Sequence, residues 1–130
     1  GHAQFKPAWR EMNRRKSVTF VHPYVPKCCR DLIPYGEASV ERDFDTTRSV
    51  TNLLYTGTLN EFPEIRYIIN HSGAAVPAMA GRIKDRYPHN PKTEEYIPNG
   101  VIAELQKFYL DIAHASFPYP MAAATKFAMP

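Results

Sequence analysis

The chain has 130 residues, 44% hydrophobic and 22% charged, with a formal net charge of +3. That length suits a single domain, residues 1–130, with a real core, and the composition argues against disorder. The basic residues are dispersed apart from Arg14–Lys16, which argues against a nucleic-acid partner. No apolar run nears the ~20 residues of a membrane span, so no membrane partner is expected, and no charged-then-apolar leader opens the sequence. The two cysteines, Cys28 and Cys29, are adjacent. Neighbours rarely bridge without strain, so reduced thiols and a cytoplasmic location are expected.

From the N-terminus, Pro7–Lys16 predicts a helix: Pro7 suits the first turn, and the basic cluster complements the negative helix end. "SVTFVHP" predicts a buried strand, since Val18, Phe20 and Val21 are apolar or β-branched with little alternation. Pro26, Pro34 and Gly36 then mark a loop. "DFDTTRSVTNLLYTGTLNEFP" predicts a helix carrying Val50, Leu53, Leu54 and Leu59, with candidate N-cap oxygens on Asp43, Asp45, Thr46 and Thr47. "EIRYIIN" (Glu64–Asn70) predicts a second strand. In "AAVPAMAGRIKDRY", Val76, Met79, Ala80, Ile83 and Tyr87 fall on one helical face. "YPHNPKTEEYIPN" predicts a loop with a solvated His89. "GVIAELQ" predicts a helix, "KFYLDIAHAS" a third strand, and "PMAAATKFAM" a last helix. Apolar strands alternating with helices predict an α/β fold with a parallel sheet.

In such folds, chemistry is handled at the carboxyl ends of the strands. The three predicted strands end in "VHP", "NHSG" and "LDIAHAS", offering His22, His71 and Asp111 or His114. A lone histidine there is commonly a capped or solvated residue. Two at equivalent positions of successive strands fit that reading less well. "DTTR" reads as a helix cap or as Arg48 steering a carboxylate. "HSGAA" reads as a tight turn into a helix or as backbone amides aimed at an anion. The paired cysteines read as small loop hydrophobes or as a redox pair. Glycine-rich phosphate loops and a nucleophile elbow are missing from the sequence.

The strings "NRRKSVTFVHP", "FDTTRSVTNLLYTGTLNEFPEIRYIINHSGAAVPAMAGRI" and "ELQKFYLDIAHAS" resemble the amidohydrolase-2 branch of the amidohydrolase superfamily. Within it, they are most similar to the metal-dependent decarboxylases of aminocarboxymuconate semialdehyde, γ-resorcylate and 6-methylsalicylate. The most specific piece runs from Phe62 to Ile83. The resemblance implies a (β/α)₈ TIM barrel, of which this chain matches strands five to seven. It implies that His22 is a ligand of a divalent metal, usually zinc and sometimes manganese. It also implies that His71 is the catalytic residue that protonates the ring carbon. Asp111 matches the family's "YYDTA" strand, where the carboxylate supports the site from behind, a role also open to His114.

The family's first-strand H-x-H or E-x-H pair and its last-strand aspartate have no counterpart here, and a full barrel takes about 250 residues. One histidine does not make the three-ligand shell of a catalytic zinc. For the parent, the resemblance implies metal-dependent non-oxidative decarboxylation of a small aromatic or enoic acid, with this fragment expected to be inactive alone. The rivals are metal-dependent hydrolysis of a lactone or amide, and a non-catalytic remnant that acts through packing with a partner. Three strands cut from a barrel have two unpaired edges and apolar faces, so self-association or membership of a longer chain is expected.

Overall fold

The computed structural model of the chain describes residues 1–29, 32–34, 39–87, 91–114 and 118–128. Gly36 and His89 lie outside them. Helix α1 (Lys6–Arg14) leads into strand β1 (Val18–Val21), and helix α2 (Glu41–Tyr55) and the short α3 (Thr58–Glu61) lead into β2 (Arg66–Ile69). The turn α4 (Asn70–Gly73), then α5 (Val76–Asp85), α6 (Pro91–Tyr96) and α7 (Val101–Leu105), lead into β3 (Tyr109–Leu110), and α8 (Tyr119–Ala128) follows. The strands form one parallel sheet in the order β1-β2-β3. Parallel neighbours need crossovers, and the helices supply them. The fold is α/β, a parallel sheet with helices in the manner of a partial TIM barrel.

Register decides which side chains share a face. Phe20 lies beside Ile68, and Ile68 beside Tyr109, while Val21, Ile69 and Leu110 form the next row. Because strand side chains alternate, Thr19, Val21, Tyr67, Ile69 and Leu110 point one way, and Val18, Phe20, Arg66, Ile68 and Tyr109 the other. The first set enters the core with Val50, Leu53 and Leu54 of α2, Val76, Ala80 and Ile83 of α5, Val101 and Leu105 of α7, and Phe127 of α8. Tyr67 sits between the rings of Trp9 and Phe108, at centroid distances of 6.4 and 5.8 Å. Each fully buried aliphatic side chain in this layer contributes about 1.5–3 kcal/mol.

The second set is not covered. Val18, Phe20 and Tyr109 are 57%, 51% and 59% exposed. Three strands of a barrel are expected to lack part of their cover, and among the described residues this face is the one left open.

Three element boundaries also differ. The predicted helix through Leu59 breaks at Gly57, whose φ of +70° suits glycine and whose added Cβ would lie 2.4 Å from the Tyr96 ring. Residues 91–96, expected as loop, form α6, whose Tyr87 and Ile97 flanks are buried in the core. The third strand pairs over only two residues. At α1, Arg14 and Arg15 grip Glu11, and their hydrogen bonds hold its carboxyl down at about 2. Among the described residues, no helix is long and apolar enough to cross a membrane.

Candidate active site

The site is built from the turns that leave the three strands. Directly after β1, His22 stacks on Phe20 with ring centroids 6.3 Å apart. Pro23, buried, turns the chain away behind it. After β2 the backbone turns sharply: His71 and Ser72 both adopt left-handed conformations, φ 51° and 56°. Each costs roughly 1–2 kcal/mol for a non-glycine residue, so the surroundings must hold it. Ser72 N donates to Asp111 O at 3.1 Å, and Ala74 N donates to Asn70 O and His71 O at 3.1 and 2.9 Å. Gly73, φ +83°, passes so close to β3 that a Cβ would lie 2.9 Å from Leu110 Cδ2. This turn points the His71 ring out of the sheet.

A second element fixes that ring. His71 Nδ1 lies 2.6 Å from Asp43 Oδ1, in the first turn of α2, and 2.8 Å from the side-chain amide of Asn70. Toward Asp43, whose carboxylate only accepts, Nδ1 acts as the donor; the Asn70 amide nitrogen, also a donor, then lies beside that bond without sharing in it, and Nε2 is left for a ligand. Asn70 is fully buried and its Oδ1 accepts from Thr46 Oγ1 at 3.3 Å. Thr47 Oγ1 donates to Asp43 O and accepts from Ala75 N, tying α2 to the start of α5.

The His71 ring lies edge-on to two others, 5.8 Å from His22 and 5.3 Å from His114. His114 follows β3, in a left-handed conformation with φ 51°. Asp111 supports that loop by accepting from Ala113 N at 3.1 Å, and its own N–H continues the ladder to Ile69 O. The three imidazoles, with Arg42, Asp43, Asn70 and Asp111, line one cleft of about 550 Å³. His22, His71, Asp111 and His114, named from the sequence, thus share one mouth at the carboxyl ends of the strands.

Arg48 does not join them. Five positions past Asp43 the helix has turned it by about 140°. It lies against Glu41 and Asp45, at 3.9 and 3.8 Å, beside a separate groove between α2 and α5. Asp43 was expected as an N-cap. The helix instead starts at Glu41, so Asp43 sits inside its first turn and reaches His71. The signal for this was available in the spacing: Asp43 lies one turn before Thr46 and Thr47 and two turns before Val50, on the face that is buried. Arg42, a residue the sequence reading did not name, comes from the same turn. Cys29 does not supply a nucleophile, since the adjacent Cys28 thiol, burial and Glu41 push its own thiol up to about 11.

A metal ion places a stricter demand. Among the described residues, no three His, Cys, Asp or Glu groups gather around one point. A catalytic zinc takes three protein ligands. This chain alone does not fit a complete metal shell, although His22 offers one imidazole at the open rim of the cleft.

No protein-family model matches the chain. The 6-methylsalicylic acid decarboxylase of Penicillium expansum is 29% identical over 133 residues, covering all of this chain and 40% of that protein. A crystal structure of an amidohydrolase II superposes on 97% of the chain with a TM-score of 0.81 at 20% identity, using 40% of its own length. A dihydroxybenzoic acid decarboxylase from Polaromonas, with manganese and the inhibitor 2-nitroresorcinol bound, superposes on 95% of the chain with a TM-score of 0.61 at 17% identity, using 47% of its length. The chain spans about a third to two fifths of the length of the curated relatives it matches. In sequence the chain is similar to named decarboxylases, and in fold it is similar to part of an amidohydrolase barrel.

Proposed function

We propose that this chain forms part of a metal-dependent, non-oxidative decarboxylase acting on a small aromatic acid. The observation that carries the proposal is the His71–Asp43 pair at 2.6 Å, set in a cleft with two further imidazoles. Asp43 holds the His71 ring in place. From Nε2, His71 delivers a proton to the ring carbon that bears the carboxylate. The bond between that carbon and the carboxylate then breaks, its electron pair restores the aromatic ring, and carbon dioxide leaves. His71 regains its proton from solvent, so nothing is oxidised and no water is consumed.

His22 is the one family-matched metal ligand in the chain; other parts of the protein complete the shell. A divalent ion held there, zinc or manganese, would supply Lewis-acid polarisation of substrate oxygens. Asp111 and His114 act as supports, the first by holding the loop that carries the second. The open sheet face is covered by the remaining strands of a barrel or by a second copy. The free thiols fit a cytoplasmic setting.

The test is turnover of hydroxybenzoates by the intact protein in deuterium oxide. Decarboxylation places one deuterium on the carbon that lost the carboxylate, with release of carbon dioxide. Hydrolysis, the rival reaction, puts a solvent oxygen into the product. Incorporation of ¹⁸O from labelled water, with no carbon dioxide, would sink the proposal. Calorimetry of the 130-residue chain with zinc should give no tight site, and a tight one abolished by His22→Ala would mean that the shell is complete here.

A further inference from the structure

Arg42 faces the cleft with its charge unclaimed. It is half-buried in the first turn of α2, and it lines the same 550 Å³ cleft as His22, His71, Asp111 and His114. Its Nε is fully buried and has no hydrogen-bond partner. Asp43 and Asp111 share the cleft, yet no ion pair joins either to Arg42 among the described residues: Asp43 is engaged with His71 Nδ1, and Asp111 Oδ1 accepts from Ala113 N. A buried donor left unpaired costs free energy, and nearly all such donors find partners. Arg42 lines a cleft of ligand size with a guanidinium that no hydrogen bond or ion pair claims among the described residues, and its outer nitrogens are a donor set suited to an anion. Its planar fork matches a carboxylate with two parallel bonds.

We infer that Arg42 anchors the carboxylate of the substrate beside His71. This rests on the decarboxylase reading for the identity of the acid, though not for the presence of an anion site. The anchor selects acids over neutral phenols of the same shape. It also holds the ring so that the carboxylate-bearing carbon faces His71. The carboxylate's charge is lost during reaction, so Arg42 favours the bound acid more than the transition state. Its removal should therefore raise KM far more than it lowers kcat.

The test titrates the intact protein with salicylate and with phenol, in the parent and in Arg42→Met and Arg42→Lys. In Arg42→Met, salicylate affinity should fall roughly 10- to 150-fold, the range for a lost hydrogen bond to a charged group, while phenol affinity stays within about twofold. Arg42→Lys keeps the charge but loses the fork, and should lie between the two. Unchanged salicylate affinity in Arg42→Met overturns the inference. So does an equal loss of both ligands in Arg42→Met accompanied by parent-like binding in Arg42→Lys. If Arg42→Met does not fold, Arg42→Lys decides alone: a selective loss of salicylate supports the anchor, and parent-like binding rejects it. The two proposals fail separately. Arg42-dependent salicylate binding without carbon dioxide release would remove the decarboxylase and keep the anchor. Carbon dioxide release with salicylate affinity indifferent to Arg42 would do the reverse.

Discussion

The two faces of the sheet are made by the same three strands but have opposite surroundings. Toward the helices, Tyr67 and Ile69 are 4% and 1% exposed and lie inside a continuous core. On the other side, Val18, Phe20 and Tyr109, equally apolar, are more than half exposed. Stability is therefore supplied from one side. The other face leads up to the cleft, where His22 stacks on Phe20, the last residue of the open row in β1. The helical face holds the strand ends rigid, and the open face leaves room for a ligand.

The largest expected effect lies where the two faces meet. His71→Asn should lower turnover by about 10²- to 10⁴-fold, the usual range for a lost general acid. Asp43→Asn keeps the shape but gives up the charge that orients the ring, so a smaller loss, roughly 10- to 100-fold, is expected. Rates from carbon dioxide release under saturating substrate would measure both. Equal rates for the parent and His71→Asn would mean that His114 or another group carries the proton.

Next in size is a cut into the covered face. Ile69→Ala should destabilise by about 2–5 kcal/mol, because a fully buried side chain leaves a cavity. Urea unfolding would read it as a lower midpoint at an unchanged slope. A loss below about 1 kcal/mol would mean that the helical layer is not the source of stability.

These two predictions differ in how far the sequence foretold them. The strands were legible because Val18–Val21 and Arg66–Ile69 are short apolar runs, and the histidines were legible because each directly follows a strand or its exit loop. That part of the cover would be missing was legible from the number of strands; which side chains it exposes was not, since Phe20 and Ile69 read alike and only register sends them to different faces. Asp43 was misread for a related reason. Carboxylates near a helix start suggest a cap, and its pairing with a residue 28 positions away depends on how α2 packs across β2. Helix α6 escaped because its Pro and Asn neighbours look like loop, whereas packing on Tyr87 and Ile97 decides it.

A subtler test concerns Tyr67, whose hydroxyl is buried on the covered face without a hydrogen-bond partner. Tyr67→Phe removes that orphan, so stability at neutral pH should hold or rise, by up to about 1–3 kcal/mol. Burial also pushes the hydroxyl up to about 12, from an ordinary value of 10. Below pH 10 it is protonated folded or unfolded, and the fold keeps its full stability. Between pH 10 and 12 the unfolded chain loses the proton while the folded one keeps it, so stability falls by about 1.4 kcal/mol per pH unit. Tyr67→Phe should remove that share of the alkaline loss, as melts at pH 8 and 11 would show. An identical pH response in both proteins would place the Tyr67 hydroxyl in contact with water.

The smallest effect is expected from Phe20→Ala in the 130-residue chain. The ring is half exposed and, among the described residues, its one ring contact is with His22. Exposed substitutions of this kind usually stay within about 0.5 kcal/mol. The value of the measurement lies in repeating it in the longer protein. If further strands close over this face, Phe20 becomes a core residue there, and the same change should cost about 3–5 kcal/mol. A cost near zero in both would mean that the face stays open to ligand or solvent. A large cost already in the 130-residue chain would mean that copies pair through it, and the unfolding midpoint would then shift with protein concentration.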